Sequence, residues 1–222
     1  MYKRTVDIEV GAVQLKGNLA LPDRLKGIVL FSHGSGSNRL SARNRSIANN
    51  LRQQGFGTLL FDLLTPAENK HYSRWFDIEL LTRRLISVTN WLLKSRVSNV
   101  NIGYFGANTG AASALAAAAE LGSEMVRAIV CRDGRPDLVQ NTIPHVKSPT
   151  LLLVGGHDKE VLEANEAALH QLQGIKKLTV IAGASHLFEV PGQLGDVTNR
   201  TAEWFTRYLY YYPKEIEKDF MG

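Results

Sequence analysis

The sequence predicts an α/β chain, a mostly parallel sheet of about eight strands with helices on both faces. Two observations predict it. Short apolar runs recur along the chain with helical stretches between them, an alternation that implies strand–helix–strand crossovers and hence parallel pairing. Most runs are apolar at nearly every position, as strands covered on both faces are. The length of 222 residues, with 44% apolar and 21% charged side chains, suits one core and one domain over 1–222.

In chain order, residues 5–10 and 13–20 alternate polar and apolar around Gly11 and read as a hairpin. The buried runs follow at 27–32, 57–61, 100–105, 126–131, 150–154 and 178–181. Helical stretches fall at 42–54, 76–94, 109–121, 161–172 and 194–211. The least regular internal stretch, 65–75, reads as a small lid with Tyr72, Trp75 and Phe76 as its apolar face; core packing of Phe76 and Trp91 is the competing reading. The tail from Tyr208 is aromatic and then charged, suited to packing along the last helix or against another subunit.

Composition narrows the function classes. The 26 Lys and Arg against 21 Asp and Glu give +5, but the excess is spread along the chain rather than clustered among exposed aromatics, which argues against a nucleic-acid partner. The charge favours an anionic small ligand weakly. A single cysteine, Cys131, allows neither an internal disulfide nor a thiolate metal cage, and reads as a small core residue. The basic N-terminus runs into no apolar signal core and no membrane-length apolar run exists, so the chain reads as cytoplasmic, neither secreted nor membrane-bound.

In parallel sheets of this kind ligands sit beyond the carboxyl ends of the strands, so the strand-to-helix turns are the places to look. Gly106-Ala107-Asn108-Thr109-Gly110 follows one strand and opens a helix, with the glycine spacing of a nucleophile elbow, G-x-S-x-G, but Asn108 at its centre. Asp158 stands just past the strand ending near Val154, and His186 just past the next one. Nucleophile position, acid and histidine thus follow in the order of a hydrolase triad. A fourth turn, Phe31-Ser32-His33-Gly34-Ser35-Gly36-Ser37, follows the first buried strand, where N–H groups of Ser35 or Gly36 would join that of Thr109 in an oxyanion hole.

With Arg135-Pro136-Asp137-Leu138 and Ala184-Ser185-His186-Leu187-Phe188-Glu189, these phrases resemble α/β-hydrolases of the dienelactone hydrolase type, from about Val13 to Tyr208. The resemblance implies the α/β-hydrolase fold and a Ser or Cys, Asp and His triad acting on small esters or lactones, with Asp158 as acid, His186 as base and no metal or cofactor. Asn108 departs from it, and Asp133 stands where relatives commonly have glycine. A carboxamide nitrogen, delocalised into its carbonyl, is no nucleophile for His186 to activate, and losing a triad nucleophile costs on the order of 10⁶ in turnover, as in subtilisin. The chain as written is expected to be inactive or nearly so. Three explanations stay open: a substitution that traps substrate, a natural ligand- or partner-binding pseudohydrolase, or a precursor whose Asn108 deamidates to aspartate, though the β-branched Thr109 should slow cyclisation.

The remaining candidates have competing readings. Asp158 also suits the N-cap of the following helix. Asp133 competes as a partner for His186, and His33 reads as a support of its loop. Arg132 and Arg135 beside the site, and Arg39, Arg43 and Arg45 after the oxyanion loop, suit an anionic group on the substrate or plain solvation. Gly34-Ser35-Gly36 with Asp62 mimics a dinucleotide fingerprint, but Arg39 stands where the third glycine belongs.

Overall fold

The computed structural model describes residues 1–95 and 100–210. Strands β1 (Tyr2–Val10), β2 (Val13–Leu21), β3 (Ile28–Ser32), β4 (Gly57–Phe61), β5 (Ile102–Ala107), β6 (Val126–Arg132), β7 (Thr150–Gly155) and β8 (Lys176–Ile181) form one eight-stranded sheet in the order β1-β2-β4-β3-β5-β6-β7-β8. The hairpin pairs antiparallel with itself and with β4, and every pairing from β4 to β8 is parallel. Helices α1 (Ala42–Gln53), α2 (Ile78–Leu93), α3 (Thr109–Leu121) and α4 (Lys159–Gln171) lie in crossovers, and α5 (Gln193–Tyr208) follows the last strand.

The two faces bury separate cores. On one, α1 and α5 cover Val29, Phe31, Phe105 and Val130 with Ile47, Leu51 and Phe205. On the other, α2, α3 and α4 cover Leu30, Leu59, Tyr104 and Leu152 with Leu85, Leu115 and Leu172. Alternate residues of β3 therefore serve opposite cores, which is why its sequence is apolar throughout. Burying each large apolar side chain contributes roughly 1.5–3 kcal/mol. Within the cores two polar pairs are made: Tyr104 Oη lies 2.6 Å from Thr89 Oγ1, and Ser32 Oγ 2.8 Å from Ser113 Oγ.

The alanines of α3 let that helix sit close against the sheet, with Ala111, Ala114 and Ala117 fully buried. The lid stretch winds into two 3₁₀ segments, Glu68–Lys70 and Tyr72–Phe76, and a further 3₁₀ stretch over Pro136–His145, broken at Val139 (φ −139°), was not expected from the sequence. Asp77 caps α2 by accepting from Leu80 N at 3.1 Å, so the helix begins at Ile78. Among the described residues no helix is long and apolar enough to cross a membrane. The aromatic and charged tail expected to pack on α5 or another subunit lies, from position 211, outside the described residues.

Candidate active site

Asn108 sits between β5 and α3 with φ 52° and ψ −124°, a backbone conformation that L-residues rarely adopt. Its neighbours enforce it. A Cβ on Gly106 would lie 2.5 Å from Ala111 Cα, and one on Gly110 would lie 2.1 Å from the Ser32 carbonyl oxygen. The turn can therefore close onto β3 only with glycine at both places. The side chain is thrust over the carboxyl edge of the sheet, as a nucleophile elbow requires, but its Oδ1 turns back to accept from Thr109 N at 2.7 Å.

The oxyanion loop packs directly on this elbow, since a Cβ on Gly34 would come within 2.7 Å of Asn108 Cβ. His33 supports the loop from beneath: it is buried, accepts from Leu63 N at Nε2 (3.1 Å) and, with the proton that assigns to Nδ1, donates to the Gly34 carbonyl (3.2 Å). Burial lowers its pKa and keeps it neutral. Among the described residues neither Ser35 N–H nor Gly36 N–H has an acceptor within the protein. Two donors thus stand free on the loop that packs on Asn108, while the third, Thr109 N–H, is taken by Asn108 itself.

The acid and histidine turns interlock. His157 N donates to the Ala184 carbonyl at 3.0 Å and Gly156 N to the Ile181 carbonyl at 3.0 Å, and a Cβ on Gly155 would sit 2.6 Å from Ala184 O. Asp158 spends Oδ1 on capping α4, accepting from Val161 N at 3.4 Å. His186 is exposed and forms no hydrogen bond to Asn108, Asp158 or any other described residue. The three turns are brought to one edge, but the hydrogen-bond chain of a triad is not closed, because Asn108 faces Thr109 and Asp158 faces its helix.

Asp133, held at φ 43°, is the acid whose weight the sequence understates. It is buried, Oδ1 accepts from Gly155 N at 2.8 Å, and Oδ2 is buried without a partner. Burial pushes its pKa up to about 6, against the Gly155 N–H; the Asp158 charge adds to the rise, while Arg132 and His186 oppose it. The native state thus holds this proton better than the unfolded chain. The ionised form costs stability as pH rises from about 4 to 6, and the full cost, roughly 2–3 kcal/mol, stands above that window. Asp133→Asn is expected to raise Tm at pH 8 and to leave it unchanged near pH 3, as thermal unfolding at both pH values would show.

The arginines separate into paired and unpaired. Arg135 is held by Asp137 through Nε (2.9 and 3.1 Å) and Nη2 (2.6 Å), and Arg39 is paired with Asp62. Arg132 ends β6 beside the elbow, where its carbonyl accepts from Asn108 N at 3.3 Å. Its guanidinium is buried, lies 5.9 Å from the Phe105 ring centre and leaves Nη1 without a partner. Burial, followed by the neighbouring Arg43 charge, lowers its pKa to about 10. Cys131 is buried inside β6 with its thiol pushed up to about 12, a core residue and no nucleophile.

The lid closes over the oxyanion loop. The Trp75 ring lies 3.5 Å from the place of a Cβ on Gly36, and Trp75 Nε1 donates to the Asn69 carbonyl at 3.1 Å. Tyr72 and Phe76 stack against each other at 5.1 Å on the outer side, exposed rather than in the core. Between Trp75, the loop and Thr109 remains a cavity of about 10 Å³, room for one water.

Comparison with known proteins agrees with this fold. A sequence model of the dienelactone hydrolase family matches residues 15–215. The crystal structure of a dienelactone hydrolase from Anabaena variabilis superposes with a TM-score of 0.90 at 51% identity, covering 94% of this chain and 98% of that one. Est1E from Butyrivibrio proteoclasticus shares the fold with a TM-score of 0.79 at 17% identity, over 91% of this chain and 98% of that one. A Mycobacterium tuberculosis protein named "Putative phosphoribosyl transferase" is 49% identical over 205 residues, 92% of this chain. The chain spans 46% of the length of that relative.

Proposed function

The chain belongs to the dienelactone hydrolase family, and from that membership we propose that it carries a site for acyl transfer from a small carboxylic ester or lactone to water, disabled in the encoded form by Asn108. The observation that carries this reading is the elbow itself: Asn108 holds φ 52° and ψ −124° against a loop with two free N–H groups. With a hydroxyl at that position, His186 would take its proton, Asp158 would fix the imidazole tautomer, and Ser35, Gly36 and Thr109 N–H groups would receive the oxyanion. Hydrolysis of p-nitrophenyl acetate by the encoded chain and by Asn108→Ser, side by side, tests it. Turnover by the serine form alone is expected; no turnover by either overturns it.

A second reading, a non-catalytic ligand-binding hydrolase fold, draws support from the bond between Asn108 Oδ1 and Thr109 N, which fills one oxyanion donor with a carbonyl the protein supplies itself. The transferase name of the longer relative is not carried over, since the matched stretch is under half of that protein.

The substrate in this reading bears an anionic group. The buried Arg132 guanidinium has Arg43 and Asp133 as its charged neighbours and leaves Nη1 without a hydrogen-bond partner, a donor that a substrate carboxylate would take up. In the serine background, Arg132→Ala is expected to raise KM for a carboxylate-bearing phenyl ester about tenfold, the worth of one charge-assisted hydrogen bond. KM for the neutral ester should stay within about twofold. Equal changes for both esters would remove Arg132 from substrate recognition.

A further inference from the structure

Asn108 is held in a conformation from which its own side chain is open to attack. At ψ −124° tetrahedral geometry at Cα brings the Cα–Cβ bond nearly into eclipse with the bond from the carbonyl carbon to Thr109 N. The carboxamide lies against that nitrogen, with Oδ1 only 2.7 Å from it. Closing a five-membered ring between Thr109 N and Asn108 Cγ requires both features, and a flexible chain meets them rarely.

We propose that Asn108 converts itself to aspartate through a cyclic imide formed with Thr109 N, so that the encoded chain is the precursor of a form with a carboxylate on the elbow. Thr109 N gives its proton to water and attacks Cγ. The N–Cγ bond forms, the Cγ–Nδ2 bond breaks, and the amino group takes up a proton and leaves as ammonia. Water then adds to Cγ, the N–Cγ bond breaks, Thr109 N regains a proton and a carboxylate remains. One water is consumed, one ammonia is released, and nothing is oxidised or reduced.

Three features favour the reaction here. Thr109 opens α3, so its N–H is among those with no acceptor inside the helix, and losing the proton breaks no helical hydrogen bond. The positive end of the helix dipole stabilises the negative charge developing on that nitrogen. The N–H groups of Ser35 and Gly36 have no acceptor within the protein and belong to the loop whose Gly34 packs on Asn108 Cβ, and in this proposal they receive the oxyanion on Cγ. They steer water to Cγ, which gives aspartate rather than the isoaspartate that attack on the main-chain carbonyl would give. The β-branched Thr109 slows such cyclisation where the chain must first find the geometry; here Gly106 and Gly110 have already fixed it.

The inference needs neither His186 nor Asp158 and stands apart from the hydrolase reading. It is tested on the freshly purified full chain, incubated in mildly alkaline buffer folded and, in parallel, unfolded in urea. Released ammonia, intact mass and peptide mapping at position 108 are followed, with Asn108→Gln as the control whose longer side chain cannot close the same ring. The folded chain is expected to convert at least about tenfold faster than the unfolded one, mainly to aspartate, and the glutamine variant not at all. An unchanged folded chain, or one converting no faster than the unfolded chain, overturns the proposal. Isoaspartate as the main product overturns the steering by Ser35 and Gly36.

Discussion

Serine at position 108 is expected to raise kcat for p-nitrophenyl acetate by about six orders of magnitude over the encoded chain. The change acts twice. It supplies a hydroxyl for His186 to deprotonate, and it removes the Oδ1 that now occupies Thr109 N–H, returning that donor to the oxyanion. Little of the fold has to move, because the backbone at 108 already holds the elbow conformation and the glycines around it keep it there. Two further variants of the serine form separate triad chemistry from nonspecific esterase activity. His186→Ala should return the rate to that of the encoded chain, and Asp158→Asn should cost on the order of 10⁴ if Asp158 orients the histidine. A small cost at Asp158 with a large one at Asp133→Asn would transfer the orienting role to Asp133, whose Oδ2 is the buried carboxylate oxygen without a partner.

The largest loss of stability is expected at Gly110. An alanine Cβ there would stand 2.1 Å from Ser32 O and 2.5 Å from His33 O, both main-chain atoms of the neighbouring strand end and loop. Neither can rotate away, so β3 and α3 must separate, and Ser32–Ser113 and the His33 support would go with them. Gly110→Ala should cost on the order of 4 kcal/mol, or roughly 8–16 °C in Tm for a chain of this size. Gly183→Ala is a contrasting control, since no atom lies within 4 Å of its added Cβ. Its φ of 67° leaves only the ordinary backbone penalty, about 1 kcal/mol. Thermal unfolding of the two variants against the parent checks both values.

Much of this architecture was legible in the sequence, and where it was not the reasons are physical. The expected strand over 57–61 and helix over 109–121 coincide with β4 and α3: Gly57 opens the fully buried β4, and α3 runs from the elbow to Gly122. The start of β8 was missed by two residues: Lys176 and Lys177 pair with Thr150 and Leu151, but on an edge strand they face solvent and give no apolar signal. The elbow could be read from its glycines, since their spacing reports close backbone approach. The direction of the Asn108 side chain could not, because it depends on a hydrogen bond to the next residue. Sequence spacing likewise placed Arg132 and Arg135 together, whereas the structure gives Arg135 a carboxylate two positions on and leaves Arg132 buried and unpaired. Asp133 could be read as a competing partner for His186 but not as a buried acid; its burial and its bond to Gly155 N arise from two strands meeting and leave no local trace.

The preserved turn at Asn108 also has a meaning at the level of the gene. Asparagine is encoded by AAY and serine by AGY, so the two are separated by a single transition. Because the φ/ψ pair, the flanking glycines and the oxyanion loop are already in place, no compensating second change has to arise first. A lineage carrying this chain therefore lies one nucleotide away from the serine form, with no unfolded intermediate on the way. Which of the two residues stands there is then a matter of selection on what the elbow does, since the fold itself sets no barrier to the change.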